Sequence, residues 1–308
     1  MPSELPRRIA LLGTGIMGSH MARRLAIAGF AVTVWNRDRA KAEKVAEFGA
    51  TISDSPSLAC SNADAVIVML SNGPVVEEVV FSQDAIGRIP AEVLPSGSTL
   101  VIMSSIPVET CRSQAHRVKA RGVAYIDAPV SGGEPGARDG TLAIMAGGEY
   151  ATIHRLAFVF AAMGRLTHVG PVGTGQMTKL ANQIIVGATV AAVAEALHLA
   201  ACAGADMAAV RQALMGGFAD SRILNIHGAR MIERNFVPGG PAEYQLKDLQ
   251  TAQALAARSS LRFTLLDCVV GMFGDMIDQF GTGLDVSGIL REVERRSGLA
   301  DAAPSTLA

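Results

Sequence analysis

A glycine-spaced run, Gly13-Thr14-Gly15-Ile16-Met17-Gly18, follows an apolar segment at 9–13 and leads into a helix-compatible stretch. In such a run the first glycine permits a tight turn, the second lets backbone approach a pyrophosphate, and the third lets a helix pack closely on a strand. The N-terminus of that helix then offers unpaired N–H groups and the positive end of its dipole to phosphate oxygens. With 32 glycines in the chain the spacing alone is a weak signal. The strand before it, the helix after it and a second strand, AVTVW at 31–35, supply the context that a dinucleotide site requires. That second strand ends in Trp35-Asn36-Arg37-Asp38. A carboxylate at this place would accept from the ribose hydroxyls of NAD and repel a 2′-phosphate. Neutral Asn36 with Arg37 beside it favours NADP over NAD, with Asp38 opposing in part.

Two further stretches could do chemistry. The loop Asp127-Ala-Pro-Val-Ser131-Gly132-Gly133 follows a strand end and exposes backbone N–H groups and a hydroxyl, which is what a carboxylate needs to be held. A turn-rich connection between two strands would read the same way. Lys179 lies about one turn inside a long apolar helical segment, with Gln183 four residues on along the same face and Asn182 flanking. It is either a snorkelling cap or a functional ammonium, and the neighbouring amides, which need partners if buried, weigh towards function. Lys247-Asp248 opens another helix-compatible stretch and carries no message alone.

The elements that must position these residues fall into two groups. Apolar runs at 9–13, 31–35, 64–70, 99–105, 123–129 and 141–147 read as strands, with helix-like segments between several of them, which indicates a parallel sheet covered on both faces. After Gly173 only helical patterns follow, at 175–203, 206–216, 221–234, 243–259, 263–280 and 286–297. The expected division is therefore 1–172 for an α/β dinucleotide-binding domain, 173–298 for an all-helical domain, and 299–308 for a frayed tail. The first of the later helices is rich in small residues (Gly187, Ala188, Ala191, Ala192, Ala194), which predicts burial on all sides and an intertwined dimer. The apolar stretch 180–204 is long enough to raise a membrane span, but Asn182, Gln183, Glu195 and His198 interrupt it, so a buried helix is the better reading.

Composition narrows the function classes. Over 308 residues, 49% are hydrophobic and 18% charged, which excludes a disordered chain. Lys and Arg number 27 against 28 Asp and Glu, leaving no footprint for nucleic acid or an anionic membrane. Cys60, Cys111, Cys202 and Cys268 lie far apart with no metal-ligand spacing, so neither a disulfide framework nor a metal site is expected and a reducing cytoplasm fits. The opening MPSELPRRIALLG does not read as a signal peptide.

Taken in order, GTGIMGSHMARRL, DAPVSGGEPGARDGTL, GTGQMTKLANQIIV and KDLQTA resemble the β-hydroxyacid dehydrogenase family, over about 8–298. The resemblance implies a Rossmann domain, a long interdomain helix and an all-α C-terminal domain that joins subunits into a homodimer or homotetramer. It implies Lys179 as the catalytic acid/base, Ser131, Gly132 and Gly133 as a cradle for a small-molecule carboxylate, and Met69, Leu70 and Ser105 beside the nicotinamide. Lys247 would close over the cofactor, and Asn182 or Gln183 would assist at the substrate. The runs KLANQIIV, GADMAAVRQALMGGFADSRIL and HGARMIERNFVPG are most similar to the branch that reduces tartronate semialdehyde (2-hydroxy-3-oxopropionate). Ile102 where the family often has Asp, Ser260-Leu261-Arg262-Phe263 and the segment GGPAEYQLKDL depart from that branch. Reaction type therefore carries over more directly than substrate, and 3-hydroxyisobutyrate, threonate, serine, glyoxylate, succinic semialdehyde and sulfolactaldehyde stand as alternatives. An imine reductase usually lacks the lysine, and a silent dinucleotide-binding protein would be expected to lose the lysine or the cradle.

Overall fold

A computed structural model describes residues 6–298, so the tail expected at 299–308 lies outside the described residues. Among these, nine strands form one sheet: β1 (Arg8–Leu12), β2 (Ala31–Trp35), β3 (Thr51–Ile52), β4 (Ala65–Val68), β5 (Thr99–Ile102), β6 (Ala124–Asp127), β7 (Val130–Ser131), β8 (Leu142–Gly148) and β9 (Gly164–Gly170). The first six run parallel in the order β3-β2-β1-β4-β5-β6, the arrangement of a dinucleotide-binding sheet. Alternate residues point to opposite faces and both faces are packed. Ile9, Leu11, Val32, Val34 and Ile67 belong to one buried layer, and Ala10, Leu12, Val66, Val68 and Ile102 to the other.

Register brings the strand ends to one edge. Leu12 is level with Trp35 and Val68, Val68 with Ile102, and Ile102 with Asp127. The residues that follow (Gly13, Asn36, Met69, Met103 and Ala128) therefore share the carboxyl edge of the sheet. The strand order reverses between β1 and β4, and it is there that such sheets open a crevice.

The sheet is not parallel throughout. β8 runs antiparallel to β6 and β7 and pairs β9 in parallel. The loop expected after Ser131 folds into a short helix, Gly133–Asp139. Pro135 is accommodated because a first helical turn has no use for its missing N–H, and Gly140 at φ 71° closes the helix in the left-handed conformation.

The chain divides into two compact units between Lys179 and Leu180, inside the long helix Thr174–Cys202. In the second unit Gly187 lets that helix lie against Gln245, Leu249 and Val269. Val190, Ala194 and Leu197 are buried, whereas Ile185 is 67% and Leu199 71% exposed. Burial on all sides, expected from the small residues, is thus not met within one chain. The helix is long and apolar enough to cross a membrane by length and composition alone. Further helices follow at Met207–Leu214, Arg222–Ile232, Ala242–Arg258, Thr264–Phe280 and Ile289–Arg296. Asp206 and Ser221 cap the first two of these by accepting from Ala209 N and Leu224 N.

At Gly18 a Cβ would stand 1.9 Å from the Gly13 carbonyl oxygen, too close for helix and loop to stay in place. Gly18→Ala should lower stability by about 1–3 kcal/mol through overpacking. The measurement is denaturant unfolding of the cofactor-free protein, where the midpoint should drop at constant slope. An unchanged midpoint would mean the helix can retreat without loss.

Candidate active site

The glycine loop is set by its neighbours. Gly13 donates its N–H to Trp35 O at 2.8 Å and adopts φ 102°, and a Cβ there would strike Met69 O at 2.3 Å. Asn36 Oδ1 accepts from Thr14 N at 3.1 Å, while Asn36 Nδ2 donates to Asp38 O at 2.9 Å. Asn36 thus braces the loop as well as lining the cleft beside it. Gly15, in contrast, has nothing within 4 Å of where a Cβ would be. It precedes the helix Ile16–Ile27, which has no side-chain cap and so leaves its first N–H groups for an outside acceptor.

These features fit the phosphates of a dinucleotide. The Thr14 hydroxyl is buried and unpartnered in the middle of the loop, and Gly15 leaves open the space that a side chain would fill. Gly13, Gly15, Asn36, Arg37, Met69 and Leu70 line one cleft of about 440 Å³. Of the remaining loop residues, Ile16 is exposed, Met17 packs against the sheet core and Gly18 is buried. Arg37 is exposed at the cleft and forms no ion pair among the described residues. Arg39 is held by Asp54 at 2.5 Å and Glu43 at 3.3 Å, and Lys41 lies 3.9 Å from Asp38.

At the end of β6 a second construction gathers the other residues of the first unit. Asp127 is fully buried, with Oδ1 accepting from Gly173 N and Oδ2 from Gln176 N, both at 2.8 Å. Burial pushes its pKa up to about 6 against the pull of those backbone bonds. Gln176 in turn donates from Nε2 to Ser104 O at 2.8 Å and accepts at Oε1 from Ile106 N at 3.0 Å, which fixes the loop carrying Ser105. Ser104 Oγ accepts from Leu70 N at 2.7 Å. Half-buried Lys179 follows Gln176 by three residues on the same helix. Downstream of Asp127, Ser131 ends β7, and Gly132 at φ 135° and Gly133 at φ 61° make a turn that L side chains resist. His20 Nε2 lies 3.4 Å from Glu134 Oε1, joining the short helix after that turn to the helix Ile16–Ile27.

In the second unit, buried Gln183 donates to Asp248 Oδ2 at 2.8 Å and to Gln245 Oε1 at 3.1 Å, and accepts from Asn182 Nδ2 at 2.8 Å. Gln245 Nε2 returns a bond to Gln183 O at 2.8 Å, and Lys247 Nζ stands 3.0 Å from Asp248 Oδ1. The partners demanded by the Asn-Gln pair are thus Gln245 and Asp248. Asp127, Gln176 and Asp248 all stand within motifs visible in the sequence, which by itself assigns none of them a role. The glycines around Asp127 and the lysine beside Asp248 were the available signals.

Residues 8–173 match the family model of the NAD binding domain of 6-phosphogluconate dehydrogenase, and residues 173–293 that of the NAD-binding region of NADP-dependent 3-hydroxyisobutyrate dehydrogenase. The chain is 41% identical to 2-hydroxy-3-oxopropionate reductase of Escherichia coli, covering 93% of this chain and 97% of that protein. The chain belongs to the β-hydroxyacid dehydrogenase family. A glyoxylate/succinic semialdehyde reductase of Arabidopsis thaliana is 30% identical over 82% of this β-hydroxyacid dehydrogenase and 86% of the plant protein. Mycobacterium tuberculosis 3-hydroxyisobutyrate dehydrogenase, solved with L-serine, superposes with a TM-score of 0.82 at 26% identity, covering 92% and 98% of the two chains. As a member of this family the enzyme is an NAD(P)-dependent oxidoreductase.

Gly15 offers a clean probe of its cofactor loop. Gly15→Asp introduces a favoured N-cap at φ −72° and into open space, so the cofactor-free fold should hold within about 0.5 kcal/mol or gain. Its carboxylate would repel a pyrophosphate, so dinucleotide affinity, measured by titration calorimetry, should fall about tenfold or more. Unchanged affinity would place the phosphates elsewhere.

Proposed function

We propose that this enzyme reduces tartronate semialdehyde, or a 3-oxo acid of closely similar size, with NADPH. The observation that carries the substrate is the 41% identity with 2-hydroxy-3-oxopropionate reductase over nearly the whole of both chains. Residues 1–172 are taken as the dinucleotide-binding domain and 173–298 as the substrate and oligomerisation domain. A bound nicotinamide supplies or accepts hydride at its C4. The rest of the chemistry falls to the chain's own side chains.

In the reducing direction the substrate carbonyl oxygen gains negative charge, and the Lys179 ammonium stabilises it and donates the proton. In oxidation the neutral amine removes the alcohol proton. The Ser131 hydroxyl and the N–H groups of Gly132 and Gly133 hold the carboxylate, fixing the distance between acid group and reacting carbon. Asn182 or Gln183, which are bonded to each other, assists at the substrate. Thr14, Gly15 and the start of the helix at Ile16 receive the phosphates, with Gly13, Met17 and Gly18 shaping the loop. Met69, Leu70 and Ser105 border the nicotinamide, and Lys247 is assigned a part in cofactor binding from the family resemblance.

NADPH is preferred on the strength of Asn36, which offers no repelling charge, and Arg37, whose guanidinium is not consumed by an ion pair. We place the enzyme in the cytoplasm, in keeping with its four free cysteines, and as a homodimer or homotetramer joined through the helical unit. Exposed Ile185, Leu199 and Phe218 support that assembly.

A panel of short semialdehydes and hydroxy acids, assayed with both cofactors, tests the reading. Tartronate semialdehyde should give the highest kcat/KM, and a higher value for glyoxylate or succinic semialdehyde would move the substrate. Lys179→Ala should bind NADPH as before but turn over about 10²–10⁴-fold more slowly. Near-normal turnover in that variant would remove the lysine from the reaction.

Cofactor choice gives a separate expectation. Kinetics should favour NADPH over NADH, and Asn36→Asp with Arg37→Leu should level or reverse the ratio. A lost charged contact costs about 1.5–3 kcal/mol, or about one to two decades in affinity. A native enzyme that prefers NADH would refute this use of Asn36 and Arg37 and leave the family assignment in place.

A further inference from the structure

We propose that Asp127 is a positioning residue for Lys179: its carboxylate fixes the first turn of the long helix and thereby the direction in which the lysine is presented. This deepens, and rests on, the reading of Lys179 as the acid/base. The first N–H groups of a helix need acceptors, normally from the side chain of the residue just before it. Here that residue is Gly173, at φ 94°, where a Cβ would meet Arg112 and Val108 at 3.2 Å. The cap is supplied instead by Asp127 from the strand β6, with two bonds of 2.8 Å to Gly173 N and Gln176 N.

Two glycines make the space for it. A Cβ on Gly175 would stand 2.4 Å from Asp127 O and 2.8 Å from its Oδ2, and one on Gly147 would stand 2.7 Å from Oδ1. Asp127 is itself locked in the sheet opposite Ile102. A displacement of the first turn would therefore be passed directly to Lys179, three residues beyond Gln176, and through the Gln176 amide to the loop bearing Ser105. From Asp127 the chain passes through Ala128 and Pro129 into β7, which ends at Ser131 beside Gly132, and β6 and β7 both pair with β8, so one carboxylate sets the lysine relative to the carboxylate cradle.

The charge state of this anchor follows from its surroundings. Cys111 hydrogen-bonds it from the helix Val108–Lys119, with the charge of Arg112 acting on Cys111, Tyr125 lies on its own strand, and Glu77, paired with Arg117 at 2.7 Å, lies beyond Tyr125. Burial holds the Cys111 thiol and the Tyr125 phenol protonated, and it brings Asp127 to about 6. Protonation adds an O–H donor to one oxygen and removes the negative charge, which weakens the bonds this carboxyl accepts from the two N–H groups. Turnover should therefore weaken as the pH falls through about 6. The fold should not weaken with it: the pKa is raised in the folded chain, so the folded state binds the proton more tightly, and this group's contribution to stability grows as the pH falls.

The test uses the intact enzyme with NADPH and its preferred semialdehyde. Asp127→Asn should lower kcat about 10²-fold, the scale of a misplaced catalytic group, with the KM for NADPH held within about twofold. The acid limb near pH 6 should vanish from its kcat profile. In a Lys179→Ala background the same substitution should cost little more, because both act through one group. Equal losses in both backgrounds, or a retained acid limb, would overturn the proposal while leaving the lysine assignment intact. Full turnover in Lys179→Ala alone would take down both. Should Asp127→Asn not fold, the amide resonances of Gly173 and Gln176 in the native enzyme decide: a shared inflection near pH 6 that tracks the loss of kcat supports the anchor, and its absence overturns it.

Discussion

A carboxylate removed from water must find hydrogen bonds, and at Asp127 they come from the start of the long helix. From this constraint much of the first unit's geometry follows. The helix can begin only where Gly173 N and Gln176 N reach the carboxylate. Gly147 and Gly175 must lack side chains for the approach to be possible, and the strand β6 must end level with β5 so that the carboxylate lies at the edge where the other loops emerge. Gln176 then extends the fixed point to the backbone on both sides of Ser105. The residues assigned to substrate and nicotinamide in this unit are thus held by backbone donors and acceptors, which have little freedom to move.

Glycines in this chain answer two different demands. At Gly13, Gly18 and Gly175 the missing side chain is replaced by protein: a carbonyl oxygen stands where a Cβ would be. At Gly15 nothing stands within 4 Å of where a Cβ would be, which leaves room for the phosphates proposed to lie there. Spacing along the sequence cannot separate these uses, because it counts residues and not directions. The Thr14 hydroxyl, buried and without a hydrogen-bond partner among the described residues, sets Gly15's surroundings apart and supports the proposed phosphate site.

Much of the fold was legible because its signals were local and apolar. β1, β4, β5, β6 and β8 are largely buried apolar runs, β2 is a run buried on one face, and the apolar runs of the sequence lie within a few residues of all six. β9, GRLTHVG, has no buried residue, opens and closes on glycine, and its alternation is broken where Thr167 and His168 stand side by side, so it carries too little signal to separate it from a loop. β3 and β7 have two residues each, too few for any period. The antiparallel course of β8 is a property of its pairing with Ile126 and Asp127, which a single strand's sequence does not encode. The one-sided burial of the long helix differs from expectation for a related reason: small residues mark where another helix can come close, and not whether it belongs to the same chain.

The polar site was legible in the same uneven way. Lys179, Asn182 and Gln183 stood out as polar residues in an apolar helix, and their spacing fixed their relation to one another. Two partners of Gln183 lie 62 and 65 residues from it, in the helix Ala242–Arg258, where periodicity cannot reveal them. Yet the chemistry of an amide already demanded them. A buried glutamine must satisfy both its oxygen and its nitrogen: Asn182 donates to the oxygen, and Gln245 and Asp248 accept from the nitrogen, answering a requirement that the sequence raised at Gln183. Asp248, buried and shared between Gln183 and Lys247, then ties the orientation of an amide on one helix to the charge of a lysine on another. A change at Lys247 reaches Gln183 through that single carboxylate, which is why the two residues, unremarkable when read apart, form one electrostatic unit when folded.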